Sequence, residues 1–247
     1  MSRKRAAVIL AAGKGKRMKS DLPKVLHRIG GRAMVSILLD TILPIGFDRV
    51  VVVIGHKGEM VSEELKQYPV EYVWQREQLG TAHAVLMTKE KLADFNGTTL
   101  VAAGDVPFLS ADSVRRLFEV HERTGAAATC LSAEFDDPTG YGRIIRDGDG
   151  DFLKEIVEHK DASDEIRLIR EINSGTFCFD NQTLFEVIDQ IENKNVQGEF
   201  YLTDAVKIMH NKGLKVAVVK AENAEEVLGV NSKDQLQTLA EKTSRRQ

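Results

Sequence analysis

Four apolar runs, Ala6 to Ala11, Val50 to Ile54, Val70 to Trp74 and Leu100 to Ala103, alternate with amphipathic segments through the first half of the chain. Short runs rich in Val, Ile and Leu suit strands buried on both faces, and the segments between them suit crossover helices. The clearest helix carries Met34, Ile37, Leu38, Thr41 and Ile42 at a 3.6-residue period, with Gly46 to end it. A second is expected from an N-cap at Ser110 through Val114, Leu117, Phe118 and His121 to Gly125. This β-α-β-α order predicts a parallel sheet with helices on both faces and ligands at the carboxyl ends of its strands. A chain of 247 residues is long enough to bury a sizeable core in one large α/β domain.

After Thr129 the pattern changes to strands and turns: Ala127 to Ala133, Gly142 to Arg146, Phe152 to Glu158 and Glu171 to Phe179. These read as an antiparallel extension of the sheet. Helices are expected near Thr183 to Ile191 and Tyr201 to Asn211, a last core strand at Lys215 to Val219, and a polar helix from Lys233 to the end. The division is thus about 1–129, about 130–232 and 233–247, with no internal repeats or low-complexity tracts.

Lys and Arg number 34 against 37 Asp and Glu, a net charge of -3, which argues against a general nucleic-acid or membrane binder. Cys130 and Cys178 both sit inside apolar runs and read as buried thiols of a reducing compartment. The apolar stretch Ala6 to Ala12 is too short for a signal-peptide core or a membrane span, so a cytoplasmic protein is expected.

Against this near-neutral background one basic loop stands out. Directly after the first strand, Gly13 and Gly15 can take the positive φ angles of a tight turn and let backbone N–H groups approach phosphate oxygens. Lys14, Lys16, Arg17 and Lys24 add cationic charge. Met18 replaces the third glycine of the G-x-G-x-x-G fingerprint, and no G-K-[ST] ending is present, so neither a dinucleotide loop nor a Walker loop fits. The loop reads as a polyphosphate cradle.

The run Leu100-Val-Ala-Ala-Gly-Asp105 ends by placing a carboxylate beside that cradle. A polyphosphate needs a hard divalent cation, and Mg²⁺ takes a few carboxylate or amide oxygens together with phosphate oxygens, so Asp105 is the candidate ligand. Gln75 and the Gly80 backbone follow the strand ending at Trp74 and would read a base edge from the same crevice. His27, His56, His83 and His121 read as cap, turn or helix-face residues.

Seven motifs in order narrow the assignment: Leu10-Ala-Ala-Gly-Lys-Gly-x-Arg17-Met with Pro23-Lys24, Gln78-Leu-Gly-Thr81, Gly104-Asp-Val-Pro107, Asp137-Pro-Thr-Gly-Tyr-Gly-Arg143, Ile156-Val-Glu-His-Lys-Asp161, Glu171-Ile-Asn173 with Gly175, and Gln197-Gly-Glu-x-Tyr-Leu-Thr-Asp204. With them the chain resembles, over about its whole length, the uridyltransferase (pyrophosphorylase) domain of the bacterial bifunctional N-acetylglucosamine-1-phosphate uridyltransferase/glucosamine-1-phosphate acetyltransferases. The resemblance implies a Rossmann-like α/β nucleotidyltransferase fold: a mixed, mostly parallel sheet with helices on both faces, a nucleotide-binding part and an antiparallel sugar-binding extension. It also implies the reaction, in which UTP and N-acetylglucosamine 1-phosphate give UDP-N-acetylglucosamine and pyrophosphate with Mg²⁺ as cofactor.

Carried over residue by residue, Leu10, Ala11, Ala12 and Gly13 line the nucleotide, Gln75, Gly80 and Thr81 hold uracil, and Arg17 and Lys24 contact the phosphates as catalytic residues. Asp105 and Asn231 match the metal ligands. Gly142, Glu158 and Asn173 match sugar and ribose contacts, with Ala103, Gly104 and Asn231 beside the sugar. The chain departs from the family at Lys16 and Ser174, where Thr is usual, and at Ala103, where Tyr is usual, which loosens the sugar assignment. No hexapeptide repeats of a β-helix follow Asn231, so no acetyltransferase domain is expected. A terminal helix with Lys233, Asp234, Glu241 and Lys242 suits a solvated face, and a monomer or weak dimer is expected.

Overall fold

The structure, a computed structural model, describes residues 3–148, 150–230 and 235–237. Its strands are β1 (Arg5–Ala11), β2 (Arg28–Ile29), β3 (Arg32–Ala33), β4 (Arg49–Ile54), β5 (Glu71–Trp74), β6 (Thr98–Ala103), β7 (Ala128–Glu134), β8 (Arg143–Arg146), β9 (Leu153–Val157), β10 (Glu171–Asp180) and β11 (Val216–Lys220). The α-helices are α1 (Met34–Ile42), α2 (Gly58–Glu64), α3 (Thr81–Leu86), α4 (Lys89–Leu92), α5 (Ala111–Thr124), α6 (Asp164–Arg167), α7 (Asn181–Val187) and α8 (Asp204–Asn211).

Among the described residues one sheet runs in the order β11-β7-β10-β6-β1-β4-β5, with β8 pairing both β10 and β9. Strands β6, β1, β4 and β5 are parallel, as the alternating pattern requires, whereas β10 runs antiparallel between β6 and β7 and β11 returns parallel to β7. The second half therefore continues the same sheet instead of forming a separate layer. Successive residues of β1 enter opposite cores: Ala6 and Val8 pack with α3, α7 and α8, while Ala7, Ile9 and Ala11 pack with α1, α2 and α5. A strand buried on both faces has no polar alternation to show, which is why these strands read as continuous apolar runs.

Helix α5 has the expected ends: the Ser110 side chain accepts from Ser113 N–H, and Gly125 closes it in the left-handed region at φ 60°. Helix α1 differs from expectation. Val35 and Leu39 are fully buried with Met34, Leu38 and Ile42, while Ile37 and Thr41 are half-buried, so the apolar stripe is wider than a single face. Pro44 lacks the N–H needed to continue the α pattern, so a 3-10 turn, Leu43–Ile45, separates Ile42 from Gly46. The short hairpin β2–β3 and helices α2, α3, α4 and α6 carry too few residues for a periodic signal. Cys130 and Cys178 are free and wholly buried on neighbouring strands, and burial pushes both thiols up. No helix among the described residues is long and apolar enough to cross a membrane. The expected terminal helix, apart from a helical stretch at 235–237, lies outside the described residues.

Candidate active site

Each parallel strand delivers one polar group at its carboxyl end. The loop Ala12 to Pro23 follows β1, Gly55 and His56 follow β4, Gln75 follows β5, and Asp105 follows β6. The β1 loop, Gln75 and Asp105 meet around a cleft of about 710 Å³, which Gly55 and His56 do not line. Of the residues singled out in the sequence, Leu10, Ala11, Ala12, Gly13, Lys14, Gly15, Arg17, Lys24, Gln75, Gly80, Thr81, Ala103 and Asp105 line it, joined by Gln78, Lys160, Gln197 and Glu199.

The chain reverses at Gly15, φ 58°, where a Cβ would come within 2.8 Å of the Lys24 Cβ. Gly13, by contrast, is not in the left-handed region, and a Cβ there meets nothing within 4 Å. The turn's demand for positive φ thus falls on Gly15 alone of the two. Met18, where the dinucleotide fingerprint would need glycine, is 1% exposed and packs with Ile29, Met34 and Val230, anchoring the loop in the core. Lys24 makes an ion pair with Asp105, each side chain 17% exposed. Gly104 is buried beneath them, its N–H donating to Leu10 C=O at 2.9 Å.

Gln75 is 3% exposed. Its Nε2 donates to Gly80 C=O at 3.0 Å and lies 3.0 Å from His83 Nδ1 on α3, while Gln78 Nε2 donates to its backbone C=O. His83, half-buried on α3, thus sits against the Gln75 amide without lining the cleft itself. Gly80 sits at φ 125°, and a Cβ there would stand 2.4 Å from Phe200 C=O. Ala82 N–H donates to that carbonyl and Leu202 N–H donates to Thr81 Oγ1 at 2.9 Å, so the motif Gln197 to Asp204 forms the wall over Gly80. Gly55 is a residue that sequence reasoning passed over: a Cβ would lie within 3 Å of both Ala12 and Gln75 C=O, so the ends of β1 and β5 approach each other across it. Its signal was a lone glycine after a strand, which marks close backbone approach.

Gly142, Glu158 and Asn173 do not line this cleft but form a second cluster beside it. Asn173 N–H donates to Gly142 C=O at 2.9 Å, and a Cβ at Gly142 would touch the Glu158 carboxylate at 3.4 Å. Asn173 Oδ1 accepts from Gly175 N–H at 2.9 Å and from Cys130 Sγ at 3.3 Å. Glu158 Oε1 accepts from Thr203 Oγ1 at 3.0 Å. Burial raises the Glu158 pKa, and Asp204, Asp161 and Glu199 reinforce the shift. A hydrogen-bonded chain leads from the cleft toward this cluster: Lys160 donates to Gln197 Oε1 at 2.5 Å and Gln197 Nε2 donates to Tyr201 Oη at 2.8 Å, and Tyr201 lines a second pocket with Glu158. Burial pushes the Tyr201 phenol up to about 12. Asn231 lies outside the described residues; its neighbour Val230 donates its N–H to Asp105 C=O at 3.1 Å.

Residues 7–174 match the model of the MobA-like NTP transferase domain. The chain belongs to that family. Among curated relatives it is 49% identical over 230 residues to the bifunctional protein GlmU of Bacillus licheniformis, and 50% to that of Listeria monocytogenes, each covering 93% of this chain and 50% of the relative. The chain thus spans about half the length of the curated relatives it matches. In the solved structures, a UDP-glucose pyrophosphorylase complexed with UDP-glucose superposes with TM-score 0.79 at 15% identity, covering 99% of this chain and all of that one. A nucleotidyl transferase from Methanothermobacter gives TM-score 0.68 at 19% identity. Both show the fold, a mixed and mostly parallel α/β sheet.

The charge pattern of this NTP transferase cleft suits a polyanion held with a cation. Lys14, Arg17, Lys24 and Lys160 approach from three segments, and Asp105 is the carboxylate among the strand-end residues. No group of three or more His, Cys, Asp or Glu among the described residues could cage a metal by itself. A divalent cation in this cleft would take one or two protein oxygens, with phosphate oxygens and waters completing its shell.

Proposed function

We propose that this chain transfers uridylyl from UTP to N-acetylglucosamine 1-phosphate, giving UDP-N-acetylglucosamine and pyrophosphate. The observation that carries the reading is the convergence in one cleft of a cationic loop, a half-buried carboxylate and a buried amide at the ends of three parallel strands. About 50% identity to the bifunctional GlmU proteins over 93% of the chain supports the choice of substrates.

In this reading UTP lies with its base against Gln75, Gly80 and Thr81 and its phosphates on the loop from Leu10 to Arg17. The free protein holds Lys24 and Asp105 against each other, which keeps both charges compensated in a partly buried site. With substrate bound that pair would be exchanged: Lys24 would turn to a phosphate, and Asp105, with Asn231, would hold the divalent cation, Mg²⁺. That cation supplies charge neutralisation for the triphosphate. A sugar-phosphate oxygen attacks the α-phosphorus in line with departing pyrophosphate, and Arg17, Lys14 and Lys24 stabilise the charge as it moves to the leaving group. A phosphate monoester is already ionised near neutral pH, so no general base is needed and positioning does most of the work. Glu158, Asn173 and Gly142 take the sugar and ribose hydroxyls, with Ala103 and Gly104 beside the sugar. Cytoplasmic monomers or weak dimers complete the proposal.

Pyrophosphate release, measured with each nucleoside triphosphate against a panel of sugar 1-phosphates, tests it. UTP with N-acetylglucosamine 1-phosphate should be the most efficient pair. Equal turnover of UTP and CTP, or preference for another sugar 1-phosphate, would replace the substrates, and binding of UDP-sugars without turnover would make the chain a nucleotide-sugar sensor.

A further inference from the structure

Hydrogen-bond chemistry leaves Gln75 one way to face. A carbonyl oxygen can only accept, so the Gln75 atom 3.0 Å from Gly80 C=O is the amide nitrogen and not the amide oxygen. That same Nε2 lies 3.0 Å from His83 Nδ1. An amide nitrogen only donates, so Nδ1 accepts, and His83 is neutral with its proton on Nε2.

We propose that His83 sets the base specificity of the cleft by locking the Gln75 amide, as a positioning residue that need not touch the base. Both amide hydrogens are spent, one on Gly80 C=O and one on His83, and Oε1 is left as the group that meets the pyrimidine. This rests on the uridylyl-transfer reading and names what makes it uridylyl. Uracil carries a hydrogen on N3, and cytosine carries a lone pair there. An amide free to turn over could serve either by exchanging its nitrogen and oxygen. Locked, it accepts from uracil N3–H and sets one lone pair against another at cytosine N3. Turned over, Oε1 would oppose Gly80 C=O, and His83 would have to shift its proton from Nε2 to Nδ1 before it could meet that oxygen. Without His83 no proton shift is required and the wild-type orientation loses one hydrogen bond, so the barrier against cytosine would be correspondingly lower. Discrimination against guanine, which also carries a ring N–H, falls instead on the size of the cleft.

The test pairs a spectroscopic readout with a kinetic one. Nitrogen NMR of histidine-labelled wild type, with the His83 signals assigned by their loss in His83→Asn, should show a neutral ring protonated on Nε2 at neutral pH. His83→Leu should lower the UTP-to-CTP ratio of kcat/KM by about tenfold or more, the scale set by removal of one strong hydrogen bond, with KM for UTP moving more than kcat. His83→Asn, whose Oδ1 can accept where Nδ1 did, should keep the ratio within about threefold of wild type. A proton on Nδ1 in the wild type, or a wild-type ratio in His83→Leu, overturns the proposal. Should His83→Leu not fold, the wild-type tautomer and the His83→Asn ratio decide. A wild-type enzyme that uses UTP and CTP equally overturns the uridylyl-transfer reading instead, and the tautomer then tests the His83–Gln75 bond on its own.

Discussion

Replacing Asp105 by Asn removes one negative charge from the cleft and leaves the side-chain volume almost unchanged. In the free protein that charge pairs with Lys24, and both side chains keep 17% exposure. An ion pair at such a site contributes about 1 kcal/mol to folding, rising to about 2 where it is partly buried. Domains of this kind have about 5–15 kcal/mol in hand. Even at about 3 kcal/mol remaining, roughly one molecule in a hundred or fewer is unfolded, so loss of the pair cannot lower activity through unfolding. The proposed role in holding the divalent cation carries a different magnitude: losing a strong stabiliser of transferring phosphates costs at least about a hundredfold in rate, about 2.7 kcal/mol. Pyrophosphate release at saturating UTP and sugar phosphate, combined with urea unfolding, separates the two effects. Titration with Mg²⁺ should further show Asp105→Asn needing more cation for half-maximal rate. Turnover within about tenfold of wild type, or an activity loss matched by an equal loss in Lys24→Ala with no shift in cation dependence, would refute the metal role and leave Asp105 as a partner for Lys24.

Arg17→Ala should slow turnover while leaving the urea midpoint nearly unchanged, because an exposed cation contributes little to folding; a large midpoint shift would point to a structural role. Glu158→Gln should raise KM for the sugar phosphate yet melt no lower than wild type at pH 7. Burial raises the Glu158 pKa, so its charged form costs stability above that pKa and the cost fades as pH falls; melting curves from pH 5 to 8 check the convergence. Burial, with Arg3 adding to it, pushes the His121 imidazole from 6.5 down to about 4. The unfolded chain therefore takes up a proton between those values and the native state does not, so stability from this group is complete above about pH 6.5 and declines toward pH 4 by about 3 kcal/mol. Unfolding of wild type and His121→Gln across that range should show the difference narrow by that amount, and a pH-independent difference would refute it.

The parallel strands and the cationic loop were legible because their causes are local: an apolar run needs no partner to be recognised, and a glycine turn with four cations declares its charge directly. Helix α3 was not legible, because six residues make no period and its first residue, Thr81, read as a base contact. The reason for Gly80 was hidden as well. Its φ of 125° and the Phe200 carbonyl that excludes a Cβ come from a segment 120 residues away, so nothing within the local sequence distinguishes it from a flexible turn. His83 shows the same limit most sharply. Two residues on from Thr81 it reads as a bland helix histidine, and only the fold brings its Nδ1 to 3.0 Å from an amide that closes the strand before it. Motif reading finds groups that could touch a substrate through their own chemistry. A residue that acts by restricting another's orientation has no such chemistry to display, and becomes visible only when donors and acceptors are counted in three dimensions.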